Sequence, residues 1–149
     1  MHSVNMPLTT REVRIPVGDT WLYGDLALPP GFHSLVLFAH GSGSAAALLA
    51  AARLGNKIAA VVSRGGRPDL AGPVALAAVT APTLFIVGSA DHEVIELNQQ
   101  AHAHLRCEKS LAIVPGATHL FEEAGALEQV AQLASSWFTA HLTSLQYTR

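Results

Sequence analysis

Apolar residues change their spacing several times along this chain, and each change marks an element. Residues 11–17 and 20–28 alternate apolar and polar positions on either side of Gly18-Asp19, which predicts an antiparallel hairpin. Pro29-Pro30-Gly31 stops its second strand. Residues 34–39 form a continuous apolar run, the pattern of a strand buried on both faces. The same pattern recurs at 58–62, 83–87 and 111–114. Between these runs the period lengthens. Residues 45–54 are rich in Ala and Leu and end at Gly55, a helix with its C-cap. Residues 93–105 place Val94, Leu97, Ala101 and Leu105 on one helical face, and Leu127, Val130, Leu133 and Trp137 do so in a terminal helix. Residues 1–10 read as a loose N-terminal tail, and 11–149 as one domain without repeats or linkers.

Strands alternating with helices predict an α/β fold: a mostly parallel sheet with helices on both faces, and the hairpin as its antiparallel edge. Composition narrows the class further. A chain of 149 residues, half of them hydrophobic and only 13% charged, folds around a core rather than remaining disordered. The net charge of −2, with scattered Lys and Arg, leaves no basic field for nucleic acid. No apolar run approaches the roughly twenty residues of a membrane span, so no membrane association is expected. Cys107 is alone, which fits a reducing compartment. Met1–Arg14 lacks the pattern of a signal peptide, and the expected location is the cytoplasm.

In parallel sheets, chemistry gathers where strands end and loops begin. Three such places carry reactive side chains: Ser42 in His40-Gly41-Ser42-Gly43-Ser44, Asp91 in Gly88-Ser89-Ala90-Asp91, and His119 in Gly116-Ala117-Thr118-His119. Their order along the chain is nucleophile, acid, histidine, as in α/β-hydrolases. A serine on a strand-to-helix turn lies beside helix N-terminal amides, including Gly43, that can stabilise an oxyanion. Ser44 is an alternative nucleophile, although a serine at a helix start also serves as an N-cap. Asp91 can cap the helix that follows it and still orient a histidine. His102, His104 and Cys107 do not make a metal site, because residues two apart on a helix do not share a face. Arg64 and Arg67 belong to a Gly-Gly loop that can meet an anion or simply face solvent.

Taken together, the runs 35–44, 45–54, 61–69, 83–91 and 115–121 resemble the dienelactone-hydrolase-like branch of the α/β-hydrolases, over roughly residues 11–142. By that resemblance Asp91 matches the triad acid and His119 the triad base. In that family a strand ending His-Gly-Ser-Gly belongs to the oxyanion loop, and further strands and helices precede a separate Gly-x-Ser-x-Gly elbow. Here the turn runs directly into Ala45-Ala46-Ala47, and no Gly-x-Ser-x-Gly occurs. The resemblance thus implies a miniature fold that has lost its middle elements and merged two turns. His40, Gly41 and Gly43 would then serve both turn and oxyanion stabilisation.

The expectation is a serine carboxylic-ester hydrolase acting on small esters through Ser42, His119 and Asp91, with no cofactor and no metal. The alternative is a non-catalytic hydrolase-like domain that binds a ligand or partner. The shortened sheet predicts exposed apolar surface and a homodimer.

Overall fold

A computed structural model describes residues 9–17, 19–28 and 34–144. The chain divides into two compact units, Met1–His33 and Ser34–Arg149. In the first unit, β1 (Thr9–Val17) pairs antiparallel with β2 (Thr20–Leu28), from Val17↔Thr20 at the turn to Thr9↔Leu28 at the open end. The hairpin therefore forms as the alternation predicts, but as a two-stranded sheet of its own rather than as an edge of the parallel sheet. Thr9 and Thr10, expected to lie in the tail, belong to β1. Residues 1–8, Gly18 and Pro29-Pro30-Gly31 lie outside the described residues.

The second unit carries the parallel sheet. Its strands are β3 (Leu35–His40), β4 (Ile58–Arg64), β5 (Thr83–Gly88) and β6 (Lys109–Val114), in spatial order β3-β4-β5-β6 and all parallel. Helices α1 (Gly43–Leu54), α2 (Pro73–Ala78), α3 (His92–His104) and α4 (Ala126–Ser144) connect or follow them. A single-turn 3-10 helix, Pro68–Ala71, precedes α2. Proline at the start of that turn and of α2 costs nothing, since the first amides of a helix have no partner inside it. Both elements are too short to show a period in the sequence.

Two apolar layers sandwich the sheet. Leu48 and Ala51 of α1, Leu76 of α2 and Ala101 of α3 pack on one face against Val61 and Phe85. Val130 and Ala134 of α4 cover Val62, Leu84 and Ile86 on the other. The central strands β4 and β5 are buried along nearly their whole length, as a run apolar on both faces requires. Strand β3 departs from the expectation. Its burial alternates, and Val36 and Phe38 remain exposed, with Phe38 half open to solvent. β3 is terminal in its sheet. Among the described residues, no helix is long and apolar enough to cross a membrane.

Because all four strands point the same way, their C-terminal ends share one edge of the sheet. The chain segments holding Ser42, Arg64–Arg67, Asp91 and His119 all leave the sheet there.

Candidate active site

The acid and the histidine meet. His119 Nδ1 lies 2.8 Å from Asp91 Oδ2, with the Asp91 side chain 15% exposed and the His119 side chain 51% exposed. With its proton on Nδ1, donated to the carboxylate, the imidazole presents an unprotonated Nε2 to incoming groups. Asp91 occupies the N-cap position of α3 yet makes no side-chain cap bond. Its carboxylate forgoes the usual local partner for a residue 28 positions away.

Backbone bonds hold these two loops together. Ser89 N–H donates to Val114 O at 2.9 Å and Ala90 N–H to Ala117 O at 3.0 Å. Gly116 N–H donates to Ser89 Oγ at 2.7 Å. Gly88 is required at the junction, because a Cβ there would overlap the Ala117 carbonyl. Beyond His119 the chain turns through Phe121, whose φ of 55° is unfavourable for a bulky residue. Burial of its ring to 1% exposure, with the Arg64 guanidinium 5.3 Å above the ring centroid, holds it there. Glu123 ties the same loop down: its Oε1 accepts the Thr118 amide at 3.0 Å and also the Thr118 hydroxyl. That hydroxyl holds the Glu123 carboxyl below its ordinary range.

The serine turn is built differently. Only Gly41 and Ser42 separate β3 from α1. Ser42 is the N-cap residue, with φ −65° and ψ −23°, and its hydroxyl makes no cap bond. It makes no hydrogen bond to His119 either, so the third contact expected of a triad is absent. The conformation explains this: Ser42 sits in the relaxed right-handed region rather than on the strained elbow that pushes a nucleophile outward. Gly41 O accepts two amides, Ser44 N–H at 3.2 Å and Arg67 N–H at 3.1 Å. Gly43 begins α1, where its amide has no acceptor inside the helix. His40 ends β3 in register with Arg64, its side chain exposed.

Ser44, the alternative nucleophile, is wholly buried in the first turn of α1. Ser63 Oγ donates to Ser44 Oγ at 2.7 Å, so this hydroxyl serves packing between α1 and β4. Arg67 does not face solvent freely, since its guanidinium makes a two-pronged contact with Asp69, both bonds 2.9 Å. His102 packs edge-on to Phe85, and burial lowers its pKa. Burial likewise pushes the Cys107 thiol up. Among the described residues no cluster of three His, Cys, Asp or Glu side chains is placed to hold a metal. A groove of about 520 Å³ beside α4, bounded by Leu84, Ser110, Ala112, Leu133, Trp137 and His141, includes none of the three candidate catalytic residues.

No family model matches the sequence. A Mycobacterium tuberculosis protein with the provisional name phosphoribosyl transferase is 55% identical over 121 residues, 80% of this chain and 27% of that protein. The chain thus spans about a quarter of the length of that curated relative. Among solved structures, a monoacylglycerol lipase from Paleococcus ferrophilus shares the fold at 16% identity, with a TM-score of 0.64 over 73% of this chain and 69% of its own. A dienelactone hydrolase from Anabaena variabilis superposes with a TM-score of 0.72 at 34% identity, covering 90% of this chain and 98% of its own. That identity, together with strand-end Asp91 and His119 in contact, shows that the chain belongs to the dienelactone hydrolase family, as a short form of the α/β-hydrolase fold.

Proposed function

We propose that the chain is a serine hydrolase of small carboxylic esters, with Ser42 as nucleophile, His119 as general base and Asp91 as its orienting acid. The observation that carries this reading is the 2.8 Å contact between His119 Nδ1 and Asp91, made by an imidazole that is half exposed to solvent. In the reaction Ser42 Oγ attacks the ester carbonyl carbon while its proton passes to His119 Nε2. The negative charge that develops on the carbonyl oxygen is met by the Gly43 amide and the N-terminal end of α1. The intermediate collapses, the imidazolium returns its proton to the departing alkoxide, and an acyl group remains on Ser42. Water activated by the same histidine then releases the acid. No cofactor or metal is needed.

The transferase name belongs to a protein of which this chain matches 27%, so the proposal rests on the fold and site of the matched part. A second reading has its own support. The unengaged Ser42 hydroxyl favours a hydrolase-like binding domain in which the Asp91–His119 pair survives without a working nucleophile. A fluorophosphonate probe with peptide mapping separates the two. Label on Ser42, lost in Ser42→Ala and His119→Ala and kept in Ser44→Ala, supports the hydrolase. Absence of label together with unchanged ester hydrolysis in all three variants supports the binding domain. The reading also takes the chain as a homodimer, for which the exposed Val36 and Phe38 on a terminal strand speak. Light scattering that gives a monomer at high micromolar concentration would refute it.

A further inference from the structure

One buried polar side chain is left unexplained by the site just described. Asn98 lies in the middle of α3, is 0% exposed, and shares the helix face of Val94 and Ala101. Its Nδ2 donates to Val94 O at 2.8 Å, one turn back on the same helix, and to Gly66 O at 3.0 Å, across 32 residues. Its Oδ1 is buried with no partner. Two carbonyl acceptors fix the amide's orientation, since a flip would aim Oδ1 at both. An apolar residue of the same size would fill this place without an orphaned oxygen. The amide must therefore be explained by what it holds.

It holds the loop Gly65-Gly66-Arg67, which reaches both the histidine loop and the serine turn. A Cβ on Gly65 would lie 3.1 Å from the His119 carbonyl, so this residue backs the histidine loop. Gly66 packs so tightly on α1 that a Cβ there would overlap the Ser44 hydroxyl. Arg67 N–H donates to Gly41 O at 3.1 Å, directly beneath the serine turn. Asp91, the N-cap residue of α3, and Asn98 thus stand on one rigid helix, about 10 Å apart along its axis. That helix fixes the acid at its start and the support of the serine turn at its middle.

We propose that Asn98 is the positioning residue of the serine turn: by holding the Gly66 carbonyl it fixes the Arg67 amide, and through Gly41 the placement of Ser42 against the Asp91–His119 pair. The inference rests on the reading of Ser42 as nucleophile, but its structural half can be read without turnover. In the full chain, Asn98→Leu removes both donors while keeping the number and branching of side-chain heavy atoms, and Asn98→Ala leaves room for a water. Thr83→Val is the control, removing a comparable buried bond, Thr83 Oγ1 to Ala81 O at 2.9 Å, at the opposite end of β5. With p-nitrophenyl acetate, both Asn98 variants should lose about 10- to 100-fold in kcat with KM within about twofold, as misplacement of a reacting group predicts. Thr83→Val should keep the parent kcat at temperatures where it is folded.

Amide hydrogen exchange gives the second readout. Arg67 and Ser44, both bonded to Gly41 O, should exchange at least about tenfold faster in the Asn98 variants by local opening, while Ala90 keeps its protection. If Asn98→Leu does not fold, Asn98→Ala decides. Unchanged exchange at Arg67 and Ser44 overturns the proposal, and so does faster exchange with an unchanged kcat. A parent that neither turns over ester nor labels at Ser42 defeats the hydrolase reading alone; the exchange of Arg67 and Ser44 then still decides whether Asn98 holds the turn.

Discussion

The two halves of the candidate site stand on unequal ground. Asp91 and His119 leave β5 and β6, and their loops are joined by three hydrogen bonds within the stretch from Ser89 to Ala117. Strand β5 beneath them is buried along its whole length. Ser42 leaves β3, which is terminal in the sheet, alternately exposed, and connected to α1 through only two residues. The first region is over-determined: a sheet interior fixes the strands, and each loop holds the other. The second depends on few contacts, chiefly the Arg67 and Ser44 amides on Gly41 O. Placing a nucleophile to a fraction of an ångström needs the first kind of support, and here the serine has the second. A family member that lost its middle elements would keep an acid–histidine pair more readily than a competent serine, because the pair does not depend on the lost strands.

The contrast between central and terminal strands is tested by a matched pair of truncations. Phe85→Ala in β5 removes a wholly buried ring and should cost about 3–5 kcal/mol of unfolding free energy. Phe38→Ala in β3 should stay within about 0.5 kcal/mol where the chain is monomeric, since half of that side chain is then in water, and should cost more where the proposed homodimer covers it. Urea midpoints give both values, and equal losses would mean that β3 is covered in solution, as a homodimer would make it. A smaller effect is expected where the Asp91 and His119 loops join. Gly88→Ala must push the Ala117 carbonyl aside, for about 1–3 kcal/mol, and should separate Asp91 from His119. The NMR signal of the His119 Nδ1 proton reports this directly; its persistence in the variant would show that the junction tolerates a Cβ.

How much of this was legible in the sequence follows from the same distinction. The parallel strands at 58, 83 and 111 and the long helices after the last two announce themselves, because burial on both faces demands an unbroken apolar run and α-helical packing a longer period. Asp91 and His119 could be paired from their positions at strand ends. The exposure of Val36 and Phe38 could not be read, since an apolar run at a terminal strand looks like one in the interior. The relaxed backbone of Ser42 was hidden too, because Gly-Ser turns of different geometry share the same letters. Asn98 left a signal that went unused: it stands four residues after Val94 and three before Ala101, on the apolar face of its helix. Glu123 left none, being one of two adjacent acids before α4.

The smallest predicted effect concerns the loop under the serine. Arg67 lowers the Asp69 pKa, mainly through the two-pronged hydrogen bond and secondarily by charge attraction. The folded value therefore lies below the unfolded one, near 3.9. A depressed carboxyl contributes stability that is fully present above the unfolded pKa and is lost as pH falls through the folded one. Arg67 is over a third exposed, so solvent screening keeps the contribution small. In Asp69→Asn the loss should appear at pH 7 and vanish at the acid end, so that parent and variant curves converge as pH drops below about 4. The difference between the two curves is the quantity to measure, because Glu123 titrates in the same range in both proteins. A constant offset from pH 7 down to pH 3 would show that the pair does not act through ionisation, and that the loop holds its shape through Asn98 and Gly41 alone.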